Sequence, residues 1–378
     1  MATSTMTAAE PARTVLSVRI AEGGHQTDRL GPLLARAREL ESPTALMRAE
    51  AEIAAIHSAG LGAAFDELVA MAEDWRGSGT RIEAIGKFAS LFVLHLAGLT
   101  AINPLDHGLL AETYLDIAEK APNTLPNIDG RRPWPVLAVR LTHGVDDFLV
   151  YLRRQGYSFR TTRVGRDTPC NKIVAGRRHP YGNRVLPTLL IQTSSDLPAA
   201  ESLRPEERTA CLYDARVFQL LAAGDTDGIG QLGSEDNREL LRRIKPTTLE
   251  MLARVLSLKR GQAGEPPLAL LYREEAMLDL REMLGIGLSD ARKLLDSMCC
   301  SGALGLEYRD WFIDTATSRG MSGIEATERW TTIQESVRSM DYKATMLVKA
   351  HRYLRAAYIK AHFPEDFRAL ATAVEFPR

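Results

Sequence analysis

The sequence predicts an α+β fold that is mostly helical, and three observations carry this. Apolar residues recur at helical spacing in the segments 213–224, 234–244, 247–260, 270–284, 288–298, 325–338 and 343–361. Residues 157–195 differ: Tyr157, Phe159, Val164, Ile173, Val174 and the run from Val185 to Ile191 read as short strands of a small mixed sheet. Between the two stretches, Leu197 to Arg208 is polar and proline-containing, the best candidate boundary. The expected organisation is a flexible tail over 1–27, a first domain over 28–200 that holds the sheet, and an all-helical domain over 201–378.

In chain order, Leu30, Leu33, Leu34 and Leu40 begin a helical stripe. Ile53, Ile56 and Leu61 continue it, as do Phe65, Leu68, Val69 and Met71. Ile82 to Leu99 is apolar and reads as mostly helical. Asn103-Pro104 breaks it, and Leu109 to Ile117 resumes. Pro122, Pro126, Pro133, Pro135 and the Asp129-Gly130 turn signal make the following stretch loop or short strand. Leu137 to Arg154 is another helix candidate. Pro246-Thr247-Thr248 opens one later helix, and Ser289-Asp290 stands where an N-cap would.

The chain of 378 residues is long enough for two or three cooperating domains. Its net charge of −1 gives no bulk attraction to polyanions, so contact with nucleic acid requires a local patch. Cys170, Cys211, Cys299 and Cys300 form no CxxC pair and read as thiols in a reducing cytosol. No apolar run is long enough for a membrane span, and the Ala/Thr/Ser-rich start lacks a signal-peptide pattern. A cytoplasmic protein without a membrane partner is expected.

The basic patch lies in residues 153–184. Arg160, Arg163, Arg166, Lys172, Arg177, Arg178 and Arg184 are interleaved with Tyr157, Phe159 and Tyr181, so cations could meet phosphates while rings stack on bases. Leu284 to Leu295 has the look of a helix-hairpin-helix turn. Lys349, Arg352 and Arg355 recur on the last long helix and read as a solvated basic face. His107 and His143 have no metal-ligand spacing to a second His or Cys.

Several segments, in order, carry a family resemblance. Leu99 to Leu110 reads LTAINPLDHGLL, Leu125 to Asp129 reads LPNID, and Phe218 to Pro246 begins FQLLAAGDTDGIGQLGS. Leu271 to Met277 reads LYREEAM, and the stretch from Lys343 to Phe367 closes with Lys360, Ala361, His362, Pro364 and Phe367. Together they resemble the palm, thumb and fingers of the bacterial DNA polymerase III α subunit family. The resemblance implies a reduced palm and thumb followed by helical fingers. No counterpart of that family's phosphoesterase domain or clamp-binding tail is seen, so the expectation is against processive replication.

The resemblance weakens where the chemistry sits. Polymerases hold two divalent ions on carboxylates, and magnesium takes oxygen ligands. In the window of the family's PDxDxDF motif, Asp129 alone keeps a carboxylate, beside Asn127 and Arg131. The family's third carboxylate falls on Met251, with Glu250 adjacent. The resemblance therefore leaves Asp129 as the remnant catalytic and metal position, with Glu250 as its second candidate. The phosphate-cradling Gly-rich run falls on Ala84, Ile85, Gly86 and Lys87. Paired arginines fall on Leu295 and Asp296, and later lysines on Cys300 and Ser301. Lys343 survives beside Tyr342 and Thr345. Gly86, Lys87 and Lys343 are thus the remnant of a nucleotide site.

The leading expectation is a non-catalytic, polymerase III α-like protein without a cofactor. It would bind DNA, primer–template or single-stranded, or other replication or repair proteins. One alternative is a weak or specialised DNA-directed DNA polymerase that uses Mg2+ on Asp129. The other is a structural or regulatory remnant without DNA contact.

Overall fold

The computed structural model describes residues 13–19, 28–76, 82–117, 119–123, 125, 136–141, 145–154, 158–164, 170–176, 188–193, 209–258, 271–299 and 303–372. Within these the protein is mostly helical with one mixed sheet, the predicted fold class. Asp129, Arg131 and the boundary segment 197–208 lie outside the described residues, as do His143, Arg166, Arg177, Arg178 and Arg184.

Helices α1 (Gly31–Glu39), α2 (Pro43–Ser58) and α3 (Gly62–Arg76) open the first half. The Ser42 hydroxyl accepts from the Ala45 N–H at 3.3 Å and Pro43 takes the first helical position, so α2 starts where both residue types favour a start. Ile53, Ile56, Phe65 and Leu68 bury into a first core, which Leu137, Val139 and Phe148 complete. No single helix among the described residues is long and apolar enough to cross a membrane.

The apolar stretch from Ile82 to Leu99 departs from its helical reading. It forms strand β2 (Ile82–Ala84), a 3-10 turn over Gly86–Ser90 and the short helix α4 (Phe92–Leu96). Gly86 takes φ +65°, which ends the strand and starts the turn in a conformation that costs other residues about 1 kcal/mol. The expected helix over 109–117 is only a 3-10 turn at Ala111–Thr113. The expected helix over 137–154 divides into β3 (Val136–Leu141) and α5 (Val145–Arg154). β3 holds Leu137 and Val139 in the core and pairs antiparallel with β2, so tertiary pairing decides its form.

Strands β1 (Arg13–Arg19), β4 (Ser158–Val164), β5 (Cys170–Gly176) and β6 (Thr188–Thr193) complete the sheet. β3 runs parallel to β6, and β6 runs antiparallel to β1. β1 is parallel to β5, which forms an antiparallel hairpin with β4.

The second half holds α6 (Ala215–Ala222), α7 (Glu235–Ile244), α8 (Leu249–Ser257), α9 (Arg273–Leu284) and α10 (Leu288–Met298). After these come α11 (Ala303–Ser318), α12 (Gly323–Ser336), α13 (Lys343–His362) and α14 (Pro364–Thr372). The Thr248 hydroxyl caps α8 through the Met251 N–H at 3.2 Å, as the sequence predicts. The sequence reading had no helix at 303–318, although Tyr308, Phe312 and Ala316 repeat at four-residue spacing and bury there.

Two further expectations change. Ser289 and Asp290 sit inside the first turn of α10, whose N-cap is Gly287. They reach outward instead: Ser289 Oγ donates to Ile117 O, and Asp290 accepts from the Leu125 N–H. The basic face expected on α13 is not solvated. Arg352 and Arg355 are buried, Arg355 donates to both Glu83 oxygens at 2.8 and 3.3 Å, and Lys349 and Lys360 bond Gln231 and Asp225.

Candidate functional site

Three segments far apart in sequence meet at the N-terminus of α13. The 3-10 turn brings Lys87, the N-terminus of α9 brings Arg273, and α10 brings Arg292 and Asp296. A two-way backbone link fixes α9 to α13: Arg273 N donates to Asp341 O at 3.0 Å, and Asp341 N to Leu271 O at 3.2 Å. The next residue of α9, buried Glu274, accepts the Lys343 N–H on both oxygens at 3.0 and 2.9 Å. A carboxylate there satisfies helix donors that would otherwise lack partners. Burial raises the Glu274 pKa, and the Lys343 and Ala344 N–H groups and the Lys343 ammonium offset part of that rise.

Tyr342 stands at the centre of this junction. Its ring has the Lys87 ammonium 5.5 Å from its centroid and the Arg273 guanidinium 5.2 Å from it, both within cation–π range. Arg273 also bonds Asp296 at 2.9 Å and the Cys299 sulfur at 3.2 Å. Arg292 bonds Asp116 and reaches Asp296 at 3.4 Å. Among the described residues no carboxylate lies in ion-pair range of Lys87. Burial lowers its pKa, Asp296 partly restores it, and Arg292 and Arg273 depress it further.

On the Lys343 side the chain builds a second cluster. Lys343 Nζ donates to the His107 carbonyl at 2.6 Å. The His107 Nδ1–H in turn donates to Glu250 in the first turn of α8. Burial works to raise the Glu250 pKa, but the His107 hydrogen bond, the helix backbone and the charges of His107 and Lys343 hold it below the usual 4.5. Met251, the position expected from the family register, does not take part. Its sulfur accepts from the Thr247 hydroxyl at 3.4 Å.

The sequence-predicted residues divide accordingly. Lys87 lies against the Tyr342 ring, while Lys343 turns its ammonium to the His107 carbonyl and Glu250 joins that cluster through His107. Leu295 is buried in the third core, while Asp296 faces the junction as the partner of two arginines. Arg273, Arg292 and His107 are additions that the sequence reading did not select. Arg160 and Arg163 are on β4 and Lys172 is on β5, where the pairing sets Lys172 opposite Thr162.

The helix-hairpin-helix likeness at 284–295 takes a structural form. Glu119 accepts the Leu288 N–H at 3.0 Å, and Asn123 bonds Leu284 O at 2.7 Å and Gly285 O at 3.1 Å. The turn is thus covered by the chain's own segment around residues 117–125.

Asp129, the expected metal position, lies outside the described residues. Among the described residues no three His, Cys, Asp or Glu side chains converge, and Glu250 already has protein partners.

Residues 199–269 match the family described as the bacterial DNA polymerase III alpha subunit finger domain, a stretch that includes α6, α7 and α8. The DNA polymerase III subunit alpha of Aquifex aeolicus is 26% identical over 195 residues, covering 43% of this chain and 17% of that protein. The subunit of Halalkalibacterium halodurans is 28% identical over 196 residues, again 43% and 17%. That of Bacillus subtilis is 24% identical over 209 residues, 48% and 19%. The match thus spans less than a fifth of each relative. Through its finger region and the matched segments around it, the chain is similar to the bacterial DNA polymerase III α subunit over part of its length.

Proposed function

We propose that this chain is a polymerase III α-like protein that binds DNA, or a partner in replication or repair, through the polymerase scaffold and does not itself synthesise DNA. The observation that carries this reading is the state of Glu250. It is the carboxylate beside the expected metal position, and its charge is answered by His107 and Lys343. A carboxylate already hydrogen-bonded by the protein is a poor ligand for magnesium, since binding the ion requires breaking that contact first. The basic segment 153–184 supplies the DNA-binding part of the proposal, with Arg160, Arg163, Arg166, Lys172, Arg177, Arg178 and Arg184 as its contacts.

Two assays test the two parts. In primer extension with magnesium or manganese, the wild type is expected to incorporate nothing. Incorporation that Asp129→Ala abolishes would overturn the non-catalytic reading. Primer–template binding should weaken with salt and fall when Arg177→Ala is combined with Arg178→Ala. Absence of wild-type binding at low salt would leave a structural or regulatory role instead.

A second reading, a specialised polymerase, has one observation in its favour. Glu250, and not Met251, bonds His107, whose carbonyl accepts from the Lys343 ammonium. On that reading Glu250→Ala and Asp129→Ala each abolish extension.

A further inference from the structure

We propose that the segment from Ile117 to Leu125 is an autoinhibitory strap, whose Glu119 carboxylate sits on the α9–α10 hairpin in the place of a DNA backbone phosphate. The contact lies outside segment 153–184, so the inference goes beyond the reading above and is tested apart from it.

The hairpin reads Leu284-Gly285-Ile286-Gly287-Leu288. Gly285 ends α9 at φ +64°, and Gly287 is the N-cap of α10. The turn presents the Leu288 N–H, the first of α10, which has no acceptor within its own helix. An anion from 169 residues away is seated there. One Glu119 oxygen accepts the Leu288 N–H at 3.0 Å, and the other pairs with Arg281 in the last turn of α9. A carboxylate held between a helix N–H and a guanidinium occupies the position that such a pair of donors offers to a phosphate. With Glu119 gone, Arg281 and the Leu288 N–H both need another anion, and a DNA backbone supplies one without regard to sequence.

The strap can leave without opening a core. Ile117 packs on the first core and Leu125 on the third, whereas residues 119–123 give no side chain to any core. Glu119, Lys120 and Pro122 are exposed. The other ties are polar: Asn123 to Leu284 O and Gly285 O, the Leu125 N–H to Asp290, and Ser289 Oγ to both backbone groups of Ile117. A segment joined this way opens locally while the helices beneath it stay packed.

The test uses the full chain and a fluorescein-labelled DNA duplex of arbitrary sequence, with binding read by fluorescence anisotropy at low ionic strength. Glu119→Gln should tighten binding by about five- to tenfold. Glu282→Gln removes the same charge from exposed α9 surface without touching the strap, and should change affinity little. A covalent lock separates opening from charge. A Cβ at Gly287 lies 3.5 Å from the Glu119 Cβ, within disulfide reach, so Glu119→Cys combined with Gly287→Cys ties the strap down. Oxidised with diamide, that variant should bind no tighter than the wild type. Reduced, it should show the gain, while Glu119→Cys alone shows it in both states. Circular dichroism checks folding, and if the lock does not fold, Glu119→Gln against Glu282→Gln decides. Equal gains in those two, or equal affinity of the oxidised and reduced lock, overturn the proposal. A gain in Glu119→Gln with no DNA binding by the wild type would sink the reading in the previous section and keep this one. Wild-type binding that Arg177→Ala with Arg178→Ala removes, without a gain from Glu119→Gln, would do the reverse.

Discussion

Glu52 shows how one side chain sets the position of the 3-10 turn that carries Lys87. It is fully buried on α2, yet its carboxylate accepts the Phe92 and Val93 N–H groups at 3.0 Å each and the Arg48 guanidinium at 2.6 Å. Arg48 then reaches the carbonyls of Ser90 and Leu109, so this pair pins the 3-10 turn that carries Lys87. Burial raises the Glu52 pKa above 4.5, with Arg48 and the two N–H groups opposing. The folded state therefore holds this proton more tightly than the unfolded one. That contribution to stability is complete below pH 4.5 and is lost as pH rises through the raised folded value. Glu52→Ala should cost about 3–5 kcal/mol, because it strands Arg48 and two amides. It should also flatten the fall in stability over that pH window. Urea denaturation at several pH values reads both effects, and a loss under 1 kcal/mol would show the amides to be satisfied elsewhere.

At the scale of elements, the turn between α9 and α10 offers a direct comparison with the turn at Gly86. Both glycines take positive φ, +64° at Gly285 and +65° at Gly86. A Cβ at Gly86 meets nothing within 4 Å, whereas one at Gly285 would lie 2.7 Å from Arg319 Nη1 and 3.0 Å from Pro122 Cγ. Gly86→Ala should cost about 1 kcal/mol, the backbone term alone. Gly285→Ala should cost more, by about a further 1–3 kcal/mol, since Pro122 cannot move without dragging the 117–125 segment. Thermal or urea unfolding of the two variants ranks them, and equal costs would mean that segment yields freely. The same elements show what the sequence reveals. The Thr248 cap and the helices of the second half other than α11 and α14 are local signals, and they appear where expected. β2 and β3 do not, because their apolar residues read equally well as helix until pairing decides. Gly86, Lys87 and Lys343 are legible from the resemblance alone. Arg273, Arg292 and His107 are not, because their roles come from partners such as Glu250, 143 residues from His107.

The whole molecule is knit together by α13. The first core draws on residues 30–148, the second mostly on 211–367 and the third on 276–340. Ile102 and Leu109 from the first half bury in the second core, and Val348 of α13 packs against both the first and the second. Arg355, 1% exposed, crosses the same boundary to Glu83 on β2. Its neighbour Cys211 is fully buried, which pushes the thiol up to about 12, with Arg355 pulling slightly the other way. Replacing Arg355 with Met keeps the length and apolar stem but removes the Arg355–Glu83 ion pair. The expected cost is about 3–5 kcal/mol, the range for breaking a buried pair from one side. Because the cores share side chains across that boundary, both should loosen together. Far-ultraviolet circular dichroism and tryptophan fluorescence should therefore shift to the same lower midpoint in urea. Cys211 should gain reactivity toward a thiol reagent in step with them. Separate midpoints, or a protected Cys211 in a destabilised variant, would mean that α13 packs on two units that unfold on their own, with the Arg355–Glu83 pair a local contact.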